Sequence, residues 1–130
     1  MSRRLKIVLI LLGIIVLAVF FTYQKLNADL EGLKDKRFET MNSVLWKDGT
    51  TLGEAHQFPI KVKVEVTIQS KQITKITLLE HQTGEGQSAE AIVDEVIRTQ
   101  SLDVDAITGA TYSSILILEA IEDALRKSYE

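Results

Sequence analysis

The residues best suited to chemistry lie close together near the C-terminus. Asp105-Ala106-Ile107-Thr108-Gly109-Ala110-Thr111-Tyr112-Ser113-Ser114 crowds four Ser or Thr side chains around Gly109-Ala110, just before an apolar helical pattern. Hydroxyls at a helix start accept hydrogen bonds from its first amides, and glycine allows a tight backbone path into it. The same amides, with the positive end of the helix dipole, attract phosphate. Two readings follow from these residue types: a phosphate-binding helix start, or a capped structural helix. A second polar stretch, His81-Gln82-Thr83-Gly84-Glu85-Gly86-Gln87, reads as a glycine-containing loop after a strand. No catalytic acid or base stands out. The absence of Cys excludes a thiol nucleophile, a disulfide framework and a zinc ribbon, and two His far apart do not suggest a metal site.

These segments need elements to position them. Ile60, Val62, Val64, Val66 and Ile68 alternate with Lys61, Lys63, Glu65 and Thr67, which predicts a half-buried antiparallel strand entered at Pro59. Gln69 to Gln72 is the expected turn, and Ile73 to Leu79 the returning strand. Asp48-Gly49, after the apolar patch Val44-Leu45-Trp46, is a hairpin-turn signal; Trp46 itself reads as core. Ser88 is expected to cap a helix whose apolar face is Ala89, Ile92, Val93, Val96 and Ile97. Gln100 to Asp105 is a connecting stretch. A second helix begins near Thr111, with Ile115, Leu116, Leu118, Ile121, Ala124 and Leu125 apolar and Arg126-Lys127 at its basic end. The order predicts an α+β fold, a small antiparallel sheet packed with helices.

The N-terminal third is different. Ile7 to Phe21 has no polar side chain, and with its flanks approaches the ~20 residues a bilayer helix needs. Arg3, Arg4 and Lys6 precede or flank it, which keeps the N-terminus cytoplasmic and the rest of the chain outside. A cleaved signal peptide has the same charge pattern, but Val19 to Tyr23 offers no small-residue cleavage site, which favours an uncleaved anchor. Leu26, Leu30 and Leu33 then recur at helical spacing, as in a short stalk. The expected organisation is residues 1–23 as cytoplasmic terminus and transmembrane anchor, 24–40 as stalk, and 41–130 as one folded domain in an α+β class. All 18 acidic residues but only 12 of the 15 basic ones follow the anchor. The outer part is therefore acidic and carries no footprint for nucleic acid.

The segment Asp105 to Ser114 resembles the covalent flavin attachment signature of FMN-binding domains. Such domains occur in flavoprotein subunits of sodium-pumping NADH:quinone reductase and of the Rnf electron-transfer complex, and as small stand-alone membrane or exported proteins. The family pattern is Asp, two variable residues, Ser or Thr, Gly, Ala, Ser or Thr, one variable residue, then Ser or Thr. It falls without a gap on Asp105, Thr108, Gly109, Ala110, Thr111 and Ser113. The expected elements from Val44 to Lys127 also come in the family's order.

The resemblance implies that a Mg-dependent flavin transferase splits FAD and esterifies FMN to Thr111. An unactivated Thr hydroxyl is a poor nucleophile, so the transferase would supply base and metal. Asp105 would serve the transferase in recognition or metal contact. Gly109 and Ala110 would allow close backbone approach, Thr108 and Ser113 would cap or bond the phosphate, and the loop with His81 and Gly84 would lie near the flavin. The implied protein is a membrane-anchored, extracytoplasmic electron carrier with covalent FMN. Its partners would be the transferase, the bilayer, and a membrane redox partner or other electron carrier. The alternatives are a subunit of a larger redox complex, and a non-redox binding module in which the same segment is only a helix start.

Overall fold

The computed structural model describes residues 1–38, 41–82 and 86–130. They form two compact units, Met1–Gly32 and Leu33–Glu130. Almost all of the first is helix α1 (Arg3–Lys34), which continues without a break through most of the expected stalk. It is long and apolar enough to cross a membrane. No residue of α1 is buried by protein, and large apolar side chains such as Leu9 and Phe21 are 48% and 64% exposed. A helix closes its own peptide hydrogen bonds, and Thr22 likewise donates its hydroxyl to the carbonyl of Ala18 at 2.9 Å.

The second unit has the expected α+β architecture. Strands β1 (Gly49–Gln57), β2 (Ile60–Gln69) and β3 (Gln72–Gln82) pair antiparallel in the order β1-β2-β3. Helix α2 (Ile92–Thr99) lies against β3, and α3 (Thr111–Lys127) crosses β1 and β2. The alternation of β2 is realised: Ile60, Val62, Val64, Val66 and Ile68 are buried on the helix side. The apolar face expected for α2 is buried at Ala89, Ile92, Val93 and Val96, and α3 buries Ile117 and Ala120 in addition to its expected set. Leu33, Phe38 and Met41 also pack against this core.

Three local expectations change. Asp48-Gly49 does not turn a hairpin; Gly49 opens β1, and the chain reverses at Phe58-Pro59. The Asp48 carboxylate instead accepts the amides of Ser70 and Lys71 at 3.0 and 3.2 Å. Those two residues form the β2–β3 turn with φ of 52° and 63°, a left-handed conformation unfavourable for side chains other than Gly, Asn or Asp. Asp48 thus holds a turn 22 residues away, a partner its local sequence does not reveal. Ser88 caps nothing. Gly86–Ala91 is a 3-10 segment, α2 starts after Ala91, and Ser88 is exposed. The 3-10 spacing of i and i+3 brings Ala89 and Ile92 to one side, both fully buried. Finally, β3 runs on through the start of the expected loop, so His81 pairs with Val62 in the sheet.

Strand β1 is an edge strand, and α3 covers it closely. A Cβ on Gly53 would stand 1.9 Å from the Ala120 carbonyl oxygen and 2.6 Å from the Ala124 nitrogen. Thr51 donates its hydroxyl to the Ala124 carbonyl at 2.9 Å, the Glu54 amide reaches Asp123 at 3.0 Å, and Lys127 reaches the Leu52 carbonyl at 3.3 Å. Groups that an open edge would offer to another chain are thereby occupied.

Two predictions follow from this packing. Gly53→Ala will destabilise the folded unit by about 3 kcal/mol or more, because two backbones must part; chemical denaturation followed by the fluorescence of buried Trp46 measures it. The bonds from Ser70 and Lys71 hold the Asp48 carboxyl below its ordinary value of 3.8. A depressed folded pKa contributes stability above the unfolded value and loses it as pH falls through the folded one. Stability measured from neutral pH to below 3.8 should therefore drop less in Asp48→Asn than in the parent.

Candidate functional site

The hydroxyl-rich segment is a turn locked to the start of α3. The Ala110 amide donates to the Ile107 carbonyl at 2.9 Å, and Gly109 has φ +82°. This is a type II turn with glycine at the position that requires positive φ. A Cβ on Gly109 would meet nothing within 4 Å, so glycine serves the backbone angle rather than clearance within the chain. Ser114, fully buried, fixes the turn from inside the helix. Its hydroxyl accepts from the Ile107 amide at 3.0 Å and donates to the Ala110 carbonyl at 2.8 Å. The N-cap position falls on Ala110, which has no side-chain acceptor, so Thr108 does not cap α3. Thr108 is exposed on the turn, and Ser113 is buried in the first turn of the helix.

Thr111 is the first residue of α3 and is partly exposed. It lines a groove of about 170 Å³ together with Asp105. One wall comes from the connecting stretch, Leu102 to Ala106, and another from Ile115 and Leu118 of α3. The remaining wall is Lys34, Lys36, Arg37 and Phe38, from the last residue of α1 and the segment that follows it. Lys34 sits over the Tyr112 ring, 5.4 Å from its centroid, and Lys36 pairs with Glu119 at 2.8 Å. These contacts drape the segment along the first half of α3.

The structure therefore brings Asp105 and Thr111 into one groove and places Thr108, Gly109, Ala110 and Ser113 in and beside the adjoining turn. His81 stands apart on β3 and is not among the groove's lining residues. Its imidazole is only 3% exposed, with Nδ1 3.2 Å from Glu90 and a buried Nε2 that has no hydrogen-bond partner. Gly84 lies outside the described residues. Trp46 is core, as read, and lines a separate pocket with Met41, Ile73 and Leu125. Sequence reasoning missed the cations of the groove, because Lys34, Lys36 and Arg37 read as part of a solvated stalk. It also missed the clamp made by Ser114. The basic run was visible; its destination was not.

Chemically, the groove presents a hydroxyl able to carry a phosphoryl group, cations to balance that group's charge, and two carboxylates, Asp103 and Asp105. The model of the FMN-binding domain family matches residues 58–126, from the reversal before β2 to the last turn of α3. That is more than half of the chain. The chain belongs to the FMN-binding domain family. No curated protein matches it. The family assigns a flavin-binding role with FMN as cofactor. The groove fits the phosphate end of that cofactor, since the first turn of α3 contains no acid and three cations line the approach to Thr111.

Ser114→Ala removes the acceptor of the Ile107 amide and the donor to Ala110. It should cost about 1–3 kcal/mol of stability in chemical denaturation and accelerate hydrogen exchange at the Ile107 amide.

Proposed function

We propose that this FMN-binding domain protein carries FMN covalently, through a phosphoester to Thr111, and acts as a membrane-anchored extracytoplasmic electron carrier. The observation that carries the reading is the meeting of Thr111, Asp105 and three cations in one groove, on the residues that match the family's attachment pattern. In the attachment reaction, Thr111 Oγ gives up its proton to a base on the transferase. It bonds the flavin-side phosphorus of FAD as the pyrophosphate linkage breaks and AMP leaves. Asp105, exposed at the groove, is available to the transferase and its metal. FMN, when bound, supplies one- and two-electron redox chemistry that the side chains of this domain lack. The chain's own contribution is to hold the cofactor on a rigid helix start and to keep it at a membrane.

Apolar α1 supports the anchor, and Arg3, Arg4 and Lys6 before and within its start support a cytoplasmic N-terminus. The folded unit then lies outside, where a covalent bond retains a cofactor that no cytosolic pool can replace. A redox partner in the same membrane, or another carrier, would exchange electrons with it.

The test is coexpression with an active flavin transferase, followed by intact mass and in-gel flavin fluorescence of denatured protein. The parent should carry one FMN-sized adduct, Thr111→Ala none, and Thr111→Ser should retain it. An unmodified parent beside a modified control substrate of the same transferase would refute covalent attachment.

A further inference from the structure

The three cations of the groove are not equivalent. Lys34 is engaged with the Tyr112 ring. Lys36 is held by Glu119 and lies over the Phe38 ring, 5.6 Å from its centroid. Among the described residues Arg37 has neither a hydrogen bond nor an ion pair, although Asp103 and Asp105 line the same groove. The two lysines fix the connector against α3, and the exposed Arg37, which lines the same groove as Thr111, is left unmatched. A guanidinium presents paired donors that fit two oxygens of a phosphate. Asp103 and Asp105 repel an anion, so a phosphate entering the groove is drawn to its cations, of which Arg37 is the one left unmatched.

We infer that Arg37 is a phosphate-positioning residue, binding the phosphate ester of the flavin nucleotide beside Thr111. The inference rests on the attachment reading given above. It concerns a residue outside the stretch matched by the family model, residues 58–126.

The experiment uses the full-length chain in detergent micelles, with Arg37→Ala, Arg37→Lys and Arg37→Glu. Lys75→Ala, an exposed basic site on β3, is the control. Two quantities are read: the initial rate of FMN adduct formation with purified transferase and FAD, by intact mass, and the amide shift of Thr111 as inorganic pyrophosphate is titrated into unmodified protein. Arg37→Ala should slow modification and weaken pyrophosphate binding by about tenfold, the scale of one charge-assisted hydrogen bond. Arg37→Glu should do more, Arg37→Lys less, and Lys75→Ala nothing. Equal rates and equal shifts in parent and Arg37→Glu overturn the proposal. Slower modification with unchanged pyrophosphate binding also overturns it, because Arg37 then serves transferase docking. If the parent is not modified at all, the attachment reading fails by itself. The titration still decides the phosphate site: binding lost in Arg37→Glu upholds it, and binding absent or unaltered refutes it.

Discussion

At Gly53 the backbone of β1 meets the backbone of α3, and the rest of the folded unit is arranged around that meeting. No side chain fits between the two, since a single added carbon would overlap the Ala120 carbonyl. The contact sets how near α3 can lie to the sheet. It also brings Thr51, Glu54 and Leu52 within reach of Ala124, Asp123 and Lys127. An edge strand with little apolar surface of its own is thereby built into the core. With α3 fixed along its length, its first residue, Thr111, has a fixed place as well.

A hydroxyl that is to meet a partner needs both a fixed position and exposed surface, and a rigid helix start sets the position before any partner arrives. The structure separates the two requirements. Ser114 is fully buried and ties Ile107 and Ala110 to the helix, and Gly109 supplies the backbone angle of the turn. Thr108, Thr111 and Asp105 keep exposed surface. The segment is a structural helix start that also keeps exposed surface.

The charge distribution has a similar division. Beyond the N-terminal cluster the chain is acidic, which disfavours anions at long range. A local gathering of cations offsets that repulsion for a phosphate. The groove does this with Lys34, Lys36 and Arg37. Lys34 ends the apolar helix and the other two follow it directly, so the segment after that helix also forms a wall of the candidate site.

Several features were legible in the chain alone, because local rules decide them. Strict alternation from Ile60 to Ile68 fixes which face of β2 is buried. The apolar run from Ile7 to Phe21 dictates an exposed helix fit for lipid, and the spacing from Asp105 to Ser113 marks the family. The tertiary structure decided what depends on distant partners. Asp48-Gly49 has the composition of a hairpin turn, yet its carboxylate stabilises the turn at Ser70-Lys71. Gly53 has weak strand propensity, and only the closeness of α3 makes a residue without a side chain favourable there. His81 has the look of a loop residue, but pairing with Val62 continues the strand and buries its ring. The cations of the groove and Thr111 were each plain in sequence while their nearness to one another was not, since charge is a property of a residue and proximity is a property of the fold.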